Sequence, residues 1–587
     1  MSNRATTHGV STEWLTAQGR RSLRIAAIVA VVACAAAYAG QASIAKRIAV
    51  ALPVDGARDF ARELIRNVAL AGLVGSALLA LGVRWFTVRR ETLALWVIAV
   101  SVCVYAGIAA AWWGYINDDA GITFTYARNL AEGHGLVYNV GDAPVEGYSN
   151  PVWLLLLAAA HAAGLEIMTV AKALGLISGV ACVLVLGHAL RNERPWVWLA
   201  LPLTVTNAAF LIWTNSGLEN GLHTLLLTSL IFLLPGAASV RRLKVGLVVV
   251  LSLLVLSRPE GVVFALVAAG YVALSEPRRL LGMRRAMQIA LVPLVVFGGL
   301  ILFRWVYFGD VLPNTFYAKA DRSNPLRLLN PFSGGWLYVG GALAGGAWTL
   351  GLVPALLALR DRERRPLVLA TLAVIAGQLL FVVPVGGDWM GEFRFMSVIV
   401  PAIALLVAIG LDETHRLLAA AAVPRRWVVL ACAIPAAIIA MSQVPRLLVF
   451  AAQPTTSLEA VARIGQHFVD LARRAGIANP TLLHHDAGGT AYIARIHTID
   501  LGGLCDRTIA KHWRERETIR RYIFEEQRPT FIYSASVFAK KIGLEDFPEF
   551  ERDYVPLPPA PEPSLAGDIR RVRRECARSL IVNESAP

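Results

Sequence analysis

Apolar and polar stretches alternate along this chain on a length scale longer than that of a soluble helix or strand. Through the first three quarters, runs of roughly 17–25 apolar residues recur, enough to cross about 30 Å of hydrocarbon. Short polar turns separate them. On that length rule about thirteen spans are expected, near 25–45, 67–86, 92–114, 168–190, 195–213, 220–238, 243–257, 261–275, 286–308, 336–359, 366–385, 395–411 and 427–445. The segments 243–257 and 261–275 are short, so they would tilt or lean on flanking arginines that snorkel. After residue 446 the period changes. Strand-like pieces (TLLHHD at 481–486, HTIDLGG at 497–503, TFIY at 530–533) alternate with helical ones and predict a small α/β domain. The run PLPPAPEP (556–563) reads as an extended surface segment.

Of the 587 residues, 56% are hydrophobic, and the net charge is +15. That charge is gathered in alternate short loops: Arg84, Arg89 and Arg90; Arg191 and Arg194; Arg241, Arg242 and Lys244; Arg278, Arg279, Arg284 and Arg285; Arg360, Arg362, Arg364 and Arg365; Arg416, Arg425 and Arg426. This is the positive-inside pattern of a polytopic membrane protein rather than a nucleic-acid surface. With Arg20, Arg21 and Arg24 it places the N-terminus in the cytoplasm. The 46–66 loop mixes Lys46, Arg47, Arg58, Arg62 and Arg66 with acids and reads as an amphipathic surface helix. The first apolar run lacks a cleavage context for a signal peptide. The expected divisions are a tail (1–24), N-terminal spans (25–114), an extracytoplasmic loop (115–166), a transmembrane core (167–445) and an extracytoplasmic domain (446–587). Cys34, Cys103, Cys182 and Cys432 fall in spans and are expected to pack. Cys505 and Cys576 could pair in an oxidising compartment.

This topology sends five polar motifs to one face. They are Asp118-Asp119 within INDDAGITFTYARNLAEGHGLVYNVGDAPVEGYSNPVW (116–153), SGLEN (216–220), SRPEG (257–261), GDVLPNTFYAK (309–319) and GGDWMGEFR (386–394). Two carboxylates at a bilayer boundary are costly to desolvate and mark a water-filled working site. Glycosyl transfer from a lipid-linked sugar needs a carboxylate base, because a sugar hydroxyl is too weak an acid to attack unaided. One of Asp118 and Asp119 would be that base, while the other orients the acceptor or binds a divalent cation. The competing reading is that they cap the next helix. Ile122, Tyr126 and Leu130 share a helical face that Gly133 can end, and Asn150-Pro151 is a cap and first-turn pair. Two helices lying on the membrane surface would then present the acids.

A phosphate leaving group gains charge in the transition state, which buried cations stabilise. Arg258, Lys319 and Arg394 are the candidates, each able instead to snorkel or to pair with Glu260, Glu392 or Asp388. Glu219 and Glu260 suit either sugar hydroxyls or salt bridges. His134 and Tyr148 are candidate substrate contacts, although a lone exposed histidine is more often incidental. His484, His485 and Asp486 resemble a metal cluster only superficially, since neighbours on a strand point to opposite faces. Trp112, Trp113, Trp213 and Trp389 are expected to form an interfacial belt.

The ordered set NDDAGITFTYARNLAEGHGLVYN…VEGYSN, SGLEN, RPE, YFGDVLPNTFYAK and GGDWMGEFRFMSVIVP, from about Asp118 to Pro401, resembles the GT-C membrane glycosyltransferases. More narrowly it is similar to the terminal mycobacterial β-arabinofuranosyltransferase and its broader bacterial relatives. The resemblance implies a polytopic α-helical membrane protein of GT-C type in the bacterial inner membrane, with a small C-terminal extracytoplasmic α/β domain. It implies a decaprenyl- or undecaprenyl-phosphate arabinofuranose donor and an envelope polysaccharide acceptor, with membrane lipid and no nucleic acid as partners. The family's acidic pair falls on Asp118 and Asp119, its RPE acid on Glu260, its loop lysine on Lys319 and its GGD acid on Asp388. Two extra spans precede the acidic pair, and the tail is shorter than in the mycobacterial enzyme and carries no matching motif. The sugar and acceptor therefore stay open, with lipid A, a pilin or capsule as alternatives. A lipid-linked sugar flippase would instead show ionisable groups at mid-span and paired broken helices.

Overall fold

The computed structural model describes residue 66 and residues 90–577, apart from 238–239, 320–323, 535 and 558–568. The expected spans at 25–45 and 67–86, the 46–66 helix and most of the proline-rich run lie outside the described residues. Among those described, five helices are long and apolar enough to cross a membrane: α1 (Arg90–Ala111), α4 (Ile167–Leu190), α8 (Arg279–Phe308), α10 (Arg365–Val385) and α12 (Arg425–Ala452). Two broken pairs raise the number to seven if each counts as one span. Pro195–Val205 bends by 55° into Ala208–Thr214, and Gly334–Gly345 bends by 100° into Thr349–Arg360. The expectation of about thirteen full spans is thus corrected within the described part. Several expected spans are helices that are short or carry charge: α5 (Asn220–Leu233), α6 (Arg241–Ser257), α7 (Gly261–Ser275) and α11 (Val400–Ala420). α6 and α7 form a helical hairpin whose turn is the SRPEG motif.

The remaining elements of the first loop are α2 (Asp118–Ala131) and α3 (Pro151–Ala162), and α9 (Asn314–Lys319) follows α8. α2 is not a surface helix. It is buried on every side from Asp118 to Asn129 except at Asp119. The membrane bundle covers one side and the C-terminal domain the other, with Gly121 packed on Gly488. Gly133, at φ +87°, turns the chain away beyond its end.

The tail is a five-stranded mixed sheet with order β2-β1-β3-β5-β4. β1 (Thr481–His484), β2 (His497–Asp500) and β3 (Phe531–Ser534) are parallel; β4 (Tyr554–Pro556) and β5 (Ile569–Arg573) add an antiparallel edge. The amphipathic α13 (Leu458–Arg474) enters it, with Ser457 capping the helix through Ala460 N–H at 3.2 Å. The domain starts after α12 runs out at Ala452, a little later than residue 446. Separate apolar clusters form around Ile499 and Ile532 and around Phe468 and Phe531. The bundle's core itself extends into the domain at Leu458, Ala487, Ala491 and Cys505. Cys505 and Cys576 are free thiols.

Candidate functional site

A cavity of about 400 Å³ opens where the five motifs meet. Its wall takes Asp119 and Tyr148 from the first loop, Glu219 from SGLEN, Arg258 and Glu260 from SRPEG, Lys319 from the α9 loop and Arg394 from GGDWMGEFR. Phe297, Leu300, Phe316, Phe381 and Val385 supply an apolar side. Residues some 275 positions apart in sequence therefore form one site, as their shared placement on one face predicts.

The two aspartates part company here. Asn117 caps α2 by accepting Asp119 N–H at 3.1 Å, so neither acid is needed as the cap. Asp118 points away from the cavity into the tail. Its two oxygens accept Gly488 N–H at 3.1 Å and Gly489 N–H at 2.7 Å. Burial and the nearby Asp486 push its carboxyl well above the usual range, against the pull of those two N–H groups. Asp119, about 29% exposed, faces the cavity and accepts from Arg394 Nη1 at 2.9 Å.

Arg394 also donates from Nε to Asp388 at 2.5 Å and lies over the rings of Phe395 and Trp213. Its position depends on a strained turn: Glu392 and Phe393 both adopt positive φ, +53° and +48°. Such backbone costs on the order of 1–3 kcal/mol per residue and persists where surroundings enforce it. Arg446 holds the Glu392 carboxylate at 2.7 Å, and Tyr338 packs edge-on against Phe393.

Deeper in, Arg258 binds Glu260 at 2.6 Å and Glu219 at 2.9 Å. Glu219 takes a second bond from Asn150 Nδ2 at 2.6 Å, and Asn150 accepts from Thr123. Asn150 is therefore a site residue and makes no side-chain cap on α3. The other oxygen of Glu260 is buried without a hydrogen-bond partner among the described residues. Arg304, near the end of α8, pairs with Glu146 at 2.7 Å and also lines the cavity. Lys319 differs from these cations. Among the described residues it makes no ion pair or hydrogen bond, and burial together with Arg394 pulls its ammonium below the usual lysine range.

Asp388 sits behind Arg394 and is not part of the cavity wall. His134 is exposed and lies 4.0 Å from Glu132, apart from the cavity. Trp213 is fully buried and donates to Glu392 O, and Trp112 is buried too. Of the expected belt only Trp113 and Trp389 are exposed. His484 and His485 stack at 4.7 Å because β1 ends between them, so strand alternation does not apply. Among the described residues no three His, Cys, Asp or Glu side chains gather as a metal-ion set. Sequence reasoning missed Asn117, Asn150, Glu146 and Arg304. A lone arginine near the end of a long apolar run was the available signal for Arg304.

Residues 456–572 match a family described as a domain of unknown function (DUF8728). No curated protein matches the chain. Among solved structures, ArnT from Cupriavidus metallidurans in the apo state is similar over 80% of this chain and 97% of that one, with a TM-score of 0.49 and 14% identity.

Proposed function

We propose that the chain is a GT-C membrane glycosyltransferase that moves a sugar, D-arabinofuranose, from a polyprenyl phosphate to an envelope glycan on the extracytoplasmic face. The observation that carries this reading is a carboxylate, Asp119, and a cation with no ion-pair partner among the described residues, Lys319, in one cavity with an apolar side. The acceptor hydroxyl oxygen attacks the anomeric carbon as its proton passes to Asp119. The bond from that carbon to the phosphate oxygen breaks, and the polyprenyl phosphate leaves with the electron pair. Lys319 balances the charge that develops there. Arg394 holds Asp119 in place, and the Glu219–Arg258–Glu260 cluster offers carboxylate oxygens to sugar hydroxyls.

Both broken helix pairs would suit a transporter, whose substrate sits at the breaks. Neither contributes a residue to the cavity wall. The break at Asn207 is closed by its own side chain on Phe210 N–H and by Gln443. An enzyme accounts for the site better than a flippase.

The test is transfer of labelled arabinofuranose from its polyprenyl phosphate by purified protein, with an envelope extract as acceptor. Wild type is expected to transfer label, and Asp119→Asn to lose about 10²–10⁴-fold. Undiminished transfer by folded Asp119→Asn overturns the base. Transfer only from a hexose donor overturns the sugar.

A further inference from the structure

The matched domain of unknown function touches the cavity at a single residue, Leu504, yet it grips both loops that carry the proposed chemistry. On the base loop the grip is close. Asp118 N–H donates to Thr456 O at 3.1 Å, Leu458 N–H donates to Ile116 O at 2.9 Å, and the carboxylate of Asp118 takes the N–H groups of Gly488 and Gly489. There is no room for a side chain there. A Cβ on Gly488 would stand 1.9 Å from Asp118 O, and one on Gly489 would stand 2.3 Å from Leu458 O.

The cation loop is gripped independently. The Asn314 side chain donates to the carbonyls of Gly503, Leu504 and Asp506 at 2.8, 3.0 and 3.1 Å. Asp310 pairs with Arg507 at 3.1 Å and Lys511 at 2.5 Å. Asn314 opens α9, and Lys319 closes it. Anchoring Asn314 therefore sets where the ammonium stands.

We propose that this domain is the positioning element of the active site: through Asp118 and Asn314 it fixes the carboxylate of Asp119 and the ammonium of Lys319 relative to each other. Asp118 is then a positioning residue and Asp119 the catalytic one, an assignment that rests on the transferase reading above. Reacting groups must be held near their productive geometry, since small displacements cost rate steeply.

The full chain in detergent, without donor or acceptor, is compared by hydrogen–deuterium exchange as wild type, Gly488→Ala and Asn314→Ala. Gly488→Ala is expected to raise exchange across 116–123, and Asn314→Ala across 310–319, while the strands 481–484 and 531–534 stay protected. Unchanged exchange in both loops overturns the proposal. If Gly488→Ala unfolds the sheet, Asn314→Ala, which adds no bulk, decides. In turnover, Asp118→Asn keeps an acceptor oxygen and should retain at least tenfold more kcat than Asp118→Ala, whereas Asp119→Asn and Asp119→Ala are equally inert. Equal loss in both Asp118 variants overturns its positioning role. Loops coupled to the domain in a chain that transfers nothing would sink the transferase reading and leave the coupling standing.

Discussion

Two clusters of buried charge sit at opposite ends of α10, and they are built differently. At the N-terminal end Arg364 binds Asp412 at 2.7 Å, Glu193 at 3.2 Å and Glu413 at 3.4 Å. Arg416 and Arg194 complete those acids. Among the described residues, no buried side-chain nitrogen or oxygen of that cluster is left without a hydrogen-bond partner. Beyond the C-terminal end, Arg258 and Arg394 are as fully paired, but the cluster does not close on itself. Among the described residues Lys319 lacks an ion-pair partner and one oxygen of Glu260 is unsatisfied, and Asp119 still meets open space. The charge at the N-terminal end of α10 spends its own bonding capacity on holding helices together; the charge at the cavity leaves some over.

That contrast can be broken at several points. The largest effect is expected at Asp119, where the transfer assay should fall by about 10²–10⁴ in Asp119→Asn with the melting curve unchanged. Arg364→Met should do the opposite. Asp412 is then left with only Arg194 at 3.5 Å, which should cost about 3 kcal/mol of stability, the low end for a broken buried pair, read as a lowered thermal midpoint in detergent, while the folded fraction keeps its turnover. Lys319→Met should lower kcat by about 10²-fold, comparable to losing one oxyanion donor. Because it strands no partner among the described residues, it should leave the midpoint in place. A destabilised Lys319→Met with intact kcat would reverse the assignment of the two ends.

The last expected effect lies in the tail and sharpens the same contrast. Asp500 is buried with both oxygens spent, on Gly502 and Cys505 N–H at 2.8 Å each, and burial pushes its carboxyl up to about 7. The folded chain therefore holds a proton that the unfolded chain releases above about 3.9. The stability this contributes is complete below that value and is lost as pH climbs through about 7. Thermal midpoints of wild type should fall against those of Asp500→Asn between pH 4 and pH 7.5. Parallel curves would place the ionised carboxylate comfortably in the fold.

Much of this was legible in the residues. Five separated motifs, assigned to one face by arginines in the intervening loops, do meet in one cavity. The parallel strands of the tail fall on the strand-like pieces expected at 481–486, 497–503 and 530–533. The division of labour between Asp118 and Asp119 was not legible. It depends on two glycines in another domain, in a stretch with no chemistry of its own. Asn150-Pro151 does mark the start of α3, but the Asn150 side chain goes to the distant Glu219 instead of capping the helix, which the local signal could not show. Trp213 looked like an interfacial residue until Arg394 and Glu392 packed over it. The antiparallel edge β4–β5 escaped because its strands are short and separated by a proline-rich stretch.

The bond from Gly489 to Asp118 joins residues 371 positions apart. During synthesis, α2 and every helix of the bundle are made before residue 489 exists. Contacts so distant in sequence form late. A chain still being inserted, or one cut short before the tail, thus carries the acid but cannot aim it. On the proposed function, competence arrives with nearly the last fifth of the polypeptide, and incomplete copies in the membrane should be silent toward the proposed lipid-linked donor.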